Sequence, residues 1–428
     1  MTKFILSSTI KANRNKNFFS LYMSPTSAYV HIPFCRRRCF YCDFPIAVVG
    51  DRLNGTNSGT IAQYVTHLCT EIRLSPNLGL PLQTVFFGGG TPSLLAVNQV
   101  VEILQTLDQR WGIAPEAEIS MEIDPGTFDL AQIQGYRSAG IHRVSLGVQA
   151  FQPDLLALCG RTHSVADVYQ AVELIHQAGI QNFSLDLMSG LPTQTIAQWQ
   201  DSLAQAIALA APHLSIYDLE IEAVTPFGKK YQPGAQPLPT DTATAMMYRL
   251  AQSTLVAAGY EHYEVSSYTQ PGYQCRHNRV YWENRPFYGL GMGATSYLHG
   301  DRWARPRTTR AYYEWVAQLA NSPAALVAPP PAAELLLDTL LVGLRLTEGV
   351  CLERLAQSFG PAIGAQLSQC LQPFQQQGWV EICDRWGRAI APGAIFPPQG
   401  RLKFTDPEGF LFSNLVLVKL FETFGAEA

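Results

Sequence analysis

Two hydrophobic rhythms alternate from Tyr29 to Glu220. Short runs with apolar residues at every second position, or apolar throughout, read as strands at 28–33, 84–88, 119–124, 143–148, 183–188 and 213–220. Between them, apolar residues recur with a helical period near 60–75, 97–110, 128–138, 166–178 and 196–209. A strand-then-helix beat predicts a parallel sheet with right-handed crossovers. Six such units make a partial (β/α)6 barrel of the α/β class, and ligand sites in such a fold lie at the C-terminal ends of the strands. Beyond Glu220 the rhythm changes. Residues 225–239 are rich in Pro and Gly and read as a crossing loop, followed by a helix at 241–258 and a strand at 260–266. Gly289–Ala294 reads as a glycine-rich turn closing the cleft, and Pro329-Pro330-Pro331 as a stiff linker. From Ala333 helix-like segments alternate with short strand-like ones around Trp379 and Leu402, as a small α+β domain would. The expected organisation is an extension at 1–22, a barrel core at 23–224, a barrel extension at 225–328 and a C-terminal domain at 333–428.

Composition narrows the class. The 428 residues are 47% hydrophobic and 15% charged, enough for more than one packed domain. A net charge of −4 argues against a general nucleic-acid binder. No apolar run reaches the roughly 18 residues that cross a membrane. Met1 to Leu21 is basic and acid-free but lacks the apolar core and small-residue cleavage site of a secretory signal. It has some transit-peptide character; we prefer to read it as lying upstream of a true start at Met23. Of nine cysteines, six are scattered singly (Cys69, Cys159, Cys275, Cys351, Cys370 and Cys383), which suits a reducing cytoplasm better than a secreted disulfide framework.

The other three stand in Cys35-Arg36-Arg37-Arg38-Cys39-Phe40-Tyr41-Cys42. A loop this short can turn three thiolates toward one point, and soft thiolates favour zinc, copper(I) or an iron–sulfur cluster. A zinc site would have to borrow a distant fourth ligand, because Asp43-Phe44 follow directly. Three thiolates on a four-iron cluster would leave one iron open. The three arginines are expected to help keep the thiols ionised.

A strand, Ala28-Tyr29-Val30-His31-Ile32-Pro33-Phe34, runs straight into this loop. Together they resemble the radical S-adenosylmethionine (SAM) enzymes, and the wording His-Ile-Pro-Phe-Cys…Tyr-Cys-Asp-Phe resembles their HemN/HemW branch. The resemblance runs from about Tyr29 to the C-terminus. It implies the partial barrel, a four-iron four-sulfur (4Fe-4S) cluster on Cys35, Cys39 and Cys42, and SAM chelating the open iron. It also implies a SAM site. Gly89, Gly90 and Thr91 of the glycine run after the second strand would meet the SAM amino group. Glu122, Gln149, Arg161 and Asp186 at later strand ends, with Tyr29 and Tyr41, would complete it. Glycines expose backbone N–H groups, Glu122 is a costly charge in an apolar strand, and Arg161 suits the methionyl carboxylate. Asp124 stands where relatives commonly carry Asn. Cys159 and His163 receive no role.

Two functions are compatible with this branch. Oxygen-independent coproporphyrinogen III dehydrogenases carry a further Cys two residues after the third, where this chain has Phe44, and a longer N-terminal segment. His277-Asn278-x-x-Tyr281-Trp282 resembles the HNxxYW motif of HemW-type haem chaperones, which makes His277, Cys275, Tyr281 and Trp282 the haem candidates. The chaperone reading therefore leads and the dehydrogenase is its alternative. It implies haem as cargo, acceptor haemoproteins that can include membrane respiratory enzymes, no nucleic acid, a cytoplasmic setting, and allows a homodimer. Leu346–Val350 and Leu411–Asn414 match the branch's C-terminal domain, expected to be winged-helix-like.

Overall fold

The structure is a computed structural model that describes residues 24–319, 330–394 and 396–425. The extension at 1–22 and Pro329 lie outside the described residues. The described residues form two compact units. The larger holds 24–280 and 285–319; the smaller holds 281–284, 330–394 and 396–425.

The larger unit is built on six parallel strands that neighbour one another in chain order: β1 (Ser27–Ile32), β2 (Leu82–Gly89), β3 (Ile113–Ile123), β4 (Arg143–Gln149), β5 (Asn182–Ser189) and β6 (His213–Asp218). The sheet then exceeds the expected six. The stretch read as one strand at 260–266 is a hairpin, β7 (Glu261–Glu264) and β8 (Ser267–Thr269), and β8 pairs antiparallel with β6. The glycine-rich stretch read as a turn begins with a strand, β9 (Tyr288–Leu290), parallel to the free side of β1. The order is β9-β1-β2-β3-β4-β5-β6-β8-β7, open between β9 and β7. These strands arise in the segment 225–328, whose partners lie far away in sequence.

The crossovers are α1 (Gly59–Leu74), α2 (Val97–Trp111), α3 (Leu130–Ala139), α4 (Val165–Gln177) and α5 (Ile196–Ala208). Ser58, Asp129, Ser164 and Thr195 cap α1, α3, α4 and α5 by accepting a first-turn N–H, so α3 starts at Leu130 rather than 128. The strand faces divide by chemistry. Val30, Val85, Phe87, Met121, Val144, Leu146, Leu185 and Leu214 are buried in one core that includes helix residues such as Leu68, Ile103 and Ile175. Alternation puts Tyr29, His31, Thr84, Glu118, Ser120, Glu122, Arg143, Ser145, Ser184, Asp186, His213 and Ser215 on the other face. Parallel strands are usually apolar on both faces. A polar face therefore marks that side of the sheet as a place for ligands.

The smaller unit is α+β. A three-stranded antiparallel sheet places Gly400–Phe404 between Val350–Cys351 and Val380–Asp384, beside helices Ala332–Gly343, Leu352–Phe359, Ile363–Gln376 and Ser413–Phe424. Among the described residues no helix is long and apolar enough to cross a membrane.

Candidate functional site at the two ends of the sheet

The loop after β1 carries all three clustered cysteines, each half-buried, to the C-terminal end of the sheet. Its backbone is held from several sides. Arg38 donates to the carbonyls of Cys42 (3.1 Å) and Phe44 (3.0 Å), Arg36 to that of Gly126 (2.8 Å), and Arg307 to that of Asp43 (2.9 Å). Arg37 pairs with Asp51 at 2.8 Å, both exposed. The three arginines of the loop are thus turned to carbonyls and to Asp51, and the Arg38 charge still favours the Cys42 thiolate. A short irregular loop has carbonyls without helical or strand partners, and they need donors. Burial pushes the Cys35 thiol up to about 12, against the opposing hydrogen bond from Thr91. Burial also raises Cys42, although the backbone of Phe44 and the Arg38 charge act the other way. Ligation of such thiols releases their protons.

A polar chain joins two of these sulfurs. Thr91 Oγ1 donates to Cys35 Sγ (3.7 Å) and lies 3.2 Å from Asp124 Oδ2. Asp124 Oδ1 takes Arg161 Nη2 at 2.5 Å, and Arg161 Nη1 donates to Cys39 Sγ at 3.5 Å. Arg161 also donates to the Gly147 carbonyl at 2.8 Å, and its buried Nε finds no partner among the described residues. Asp124 is a full member of this chain rather than a neutral departure from a family pattern.

The glycine run behaves differently from its sequence reading. Gly89 donates to Glu122 Oε2 (2.8 Å), Gly90 to the Ile32 carbonyl (2.8 Å) and Thr91 to the Phe34 carbonyl (2.7 Å). Their N–H groups are spent inside the fold. What requires glycine is space: at Gly89, with φ of +112°, a Cβ would stand 2.4 Å from the His31 ring, and at Gly90 2.7 Å from the Phe34 carbonyl oxygen. His31 is 2% exposed and bridges Tyr29 Oη (3.0 Å) to the Pro45 carbonyl (3.0 Å) at the far end of the cysteine loop. Burial lowers its pKa to about 4, so the neutral ring donates through Nε2 and accepts at Nδ1.

Three more residues face this end. Glu122 is half-buried, and burial, with Asp186 and Asp124 nearby, pushes its pKa up to about 8 despite the Gly89 N–H. Asp186 is raised by burial and accepts from Ser145 (2.8 Å) and Ser184 (3.2 Å). Gln149 ends β4 at φ +69°, where the ladder to β5 shifts register. A bulge with a strained non-glycine residue re-aims a side chain at a strand end, a frequent signature of a ligand site. Tyr41 packs against Phe227 with ring centroids 6.4 Å apart. Cys35, Cys39, Thr91, Asp124 and Arg161 are joined by contacts, Gly89 and Glu122 by one more, and Tyr29 and Gly89 through His31.

The haem candidates lie elsewhere. Cys275 and His277 are both 0% exposed, at the N-terminal end of the same sheet. Glu118, near the middle of β3, accepts the N–H groups of Arg276 (3.1 Å) and His277 (3.0 Å) and the Cys275 thiol (3.8 Å). It thereby caps the helix α6 (Arg276–Trp282) and latches it across this end. His277 Nδ1 meets Thr84 Oγ1 at 2.7 Å, and its ring stacks on Phe86 at 5.3 Å. Burial lowers the His277 pKa to about 3 and raises Cys275 to about 12. The unit boundary falls after Val280, so Tyr281 and Trp282 group with the C-terminal unit, where the Arg345 guanidinium lies 5.8 Å from the Trp282 ring. Sequence reasoning missed Glu118 and His31. Both follow from the alternation that singled out Glu122 and Tyr29, since Glu118-x-Ser120-x-Glu122 and Tyr29-x-His31 share one strand face.

Comparison with known proteins adds the family context. Residues 29–206 match the Radical SAM superfamily, and residues 331–386 match the HemN C-terminal domain. A protein of Synechocystis sp. named "Heme chaperone HemW" is 50% identical over 94% of this chain and 97% of its own length. A "Heme chaperone HemW" of Bacillus subtilis is 32% identical over 83% of this chain and 92% of its own. Among solved structures, coproporphyrinogen III oxidase (HemN) from Escherichia coli, a radical SAM enzyme, superposes with a TM-score of 0.75 over 93% of this chain and 90% of that one, at 20% identity. The last is a likeness of fold.

Proposed function

Since the chain belongs to the HemW family of the radical SAM superfamily, we propose that it is a haem chaperone that carries a 4Fe-4S cluster and SAM and passes haem to acceptor haemoproteins. The observation that carries the cofactor half is the contact chain Cys35–Thr91–Asp124–Arg161–Cys39 at the C-terminal end of a polar-faced parallel sheet. The donor set suits a cluster. Three thiols in one loop supply three corners of a four-iron cluster. Cys35, Cys39 and Cys42 would hold it. SAM would lie against Tyr29, Tyr41, Gly89, Gly90, Thr91, Glu122, Gln149, Arg161 and Asp186. A ligand ammonium is a donor, so it would use carbonyl and carboxylate oxygens of this set, the N–H groups of the glycine run being spent. When bound, the cluster supplies one-electron chemistry toward SAM. All nine cysteines are free, which suits a reducing, cytoplasmic setting.

Two features separate the chaperone from the dehydrogenase: Phe44, 55% exposed where dehydrogenases carry a further cysteine, and the segment 275–282. The test is one anaerobic preparation assayed twice. Haem binding with transfer to an apo-haemoprotein, and no conversion of coproporphyrinogen III in the presence of SAM and reductant, is the expected outcome. Robust formation of protoporphyrinogen IX without haem binding would overturn the proposal in favour of the dehydrogenase.

A further inference from the structure

Thr91, Asp124 and Arg161 set which donors reach the sulfurs of Cys35 and Cys39. The Thr91 hydroxyl has one hydrogen and two claimants. Cys35 Sγ lies 3.7 Å from Oγ1, and Asp124 Oδ2 lies 3.2 Å from it. The carboxylate oxygen is the nearer and the stronger acceptor, so it takes the proton. Arg161 is the opposite case, with acceptors in excess. Its Nη2 has two hydrogens, and three acceptors surround it: Asp124 Oδ1 (2.5 Å), the Gly147 carbonyl (2.8 Å) and His163 Nδ1 (3.4 Å). His163 can accept there because its Nε2–H goes to the Val148 carbonyl at 3.2 Å. Held on that side, the guanidinium keeps Nη1 on Cys39 Sγ at 3.5 Å.

Asp124 therefore acts on both sulfurs through its neighbours, and in one direction. It draws the Thr91 proton away from Cys35. Its negative charge offsets the positive charge that Arg161 presents to Cys39. The two side chains are 8% (Arg161) and 29% (Asp124) exposed, so salt and water screen their charges weakly. Reduction of an iron–sulfur cluster adds negative charge to the iron, sulfide and thiolates together. Donors and positive charge at the sulfurs favour the reduced form, and a carboxylate beside them favours the oxidised one.

We infer that Asp124 is a positioning residue that holds the reduction potential of the cluster down, acting through Thr91 on Cys35 and through Arg161 on Cys39. The inference rests on the proposed 4Fe-4S cluster and deepens that reading. Thr91 and Arg161 raise the potential, and Asp124 opposes both. The reaction concerned is the transfer of one electron from a low-potential reductant to the oxidised cluster, with no bond made or broken.

The experiment is a redox titration with dithionite of the anaerobically reconstituted full-length protein, read by EPR, with iron counted per chain. SAM is left out, so that any part Arg161 plays in binding it does not enter. D124N frees the Thr91 proton for Cys35 and leaves the Arg161 charge uncompensated. At a fixed poise its ratio of reduced to oxidised cluster should rise about tenfold, or about 59 mV for one electron. R161Q should lower that ratio by about tenfold, and T91V should lower it by about threefold, the scale of lost hydrogen bonds with and without a charge. D124N/R161Q, which removes both charges, should return close to the parent. Opposite shifts at unchanged iron content are the expected result. Loss of iron in all the variants, with no split in sign, would show a merely structural role and overturn the inference. So would a potential in D124N equal to or below that of the parent, which would leave the cluster reading in place. A parent protein that assembles no iron–sulfur cluster would sink that reading and this inference with it.

Discussion

The two ends of the main sheet solve opposite problems. At the C-terminal end, half-buried thiols, a half-buried Glu122 and a strained, half-buried Gln149 stay partly open, and the contact chain through Asp124 and Arg161 ties Cys35 to Cys39. At the N-terminal end the titratable groups are sealed: Glu118, Arg143, His213, Cys275 and His277 are at most 3% exposed, and Glu118 latches the helix over them. The same alternation of inward polar residues feeds both ends. What differs is whether a distant segment covers them. A polar inner face becomes a site where it is left open and a structural lock where it is closed.

The strongest way to break this contrast is at the cysteines. Replacing any one of Cys35, Cys39 or Cys42 by Ala should abolish most iron–sulfur binding on anaerobic reconstitution, because two thiolates leave too many corners unheld. The thermal stability of the larger unit should barely move, since the loop lies outside its core. Stoichiometric zinc and no iron in the parent protein would count against this.

Unlatching the other end should do the reverse. Glu118→Ala leaves the N–H groups of Arg276 and His277 without their acceptor in a buried place and should cost about 3–5 kcal/mol in denaturant unfolding, with the iron content of the reconstituted protein retained. A cost below ~1 kcal/mol would show that the latch is not what holds the segment.

Acid sharpens the same comparison. The folded His277 has its pKa lowered by burial from 6.5 to about 3. Between those values the unfolded chain takes up a proton that the folded chain refuses, so stability is full above pH 6.5 and falls as pH drops toward 3. His277→Gln should flatten that slope by an amount on the order of 2–4 kcal/mol across the window. Parallel pH–stability curves for the two proteins would contradict the sealed, neutral imidazole.

Arg161→Ala should weaken SAM binding by about 1.5–3 kcal/mol by calorimetry, the worth of a charged hydrogen bond. Unchanged affinity would place the ligand carboxylate elsewhere. The smallest effect belongs to Arg37→Ala. Its partner Asp51 is exposed and so is Arg37, and such pairs contribute about 0–1 kcal/mol, so both stability and iron content should stay within about 0.5 kcal/mol and one-tenth of the parent. A large loss would mean the loop depends on this pair.

The open end was the more legible in sequence, for a physical reason. Cys35, Gly89, Glu122 and Gln149 each sit at, next to or just beyond the end of a strand, and Asp186 within one, and the rhythm of each strand is local, so finding the strand places the residue. What the rhythm cannot tell is how backbone donors are spent: the N–H groups of Gly89 to Thr91 go to Glu122 and to the β1 segment, partners 33 to 58 residues away. Arg36 and Arg38 were readable as charges but not as carbonyl clamps, because side-chain direction in an irregular loop is set by the fold. At the closed end the motif at 275–282 was visible and its burial was not. Its position depends on Glu118, some 160 residues earlier, and on β9 joining β1 across the whole length of the unit.

The central claim is that the open end of the sheet is the cluster-and-SAM site and the closed end a structural lock. The most direct test measures iron–sulfur content and denaturant stability together in three full-length proteins: the parent, C35A/C39A/C42A and E118A. The account predicts that the triple variant loses the iron–sulfur cluster and keeps its stability, while E118A loses stability and keeps the cluster. A triple variant that keeps the cluster, with E118A indistinguishable from the parent, would contradict it.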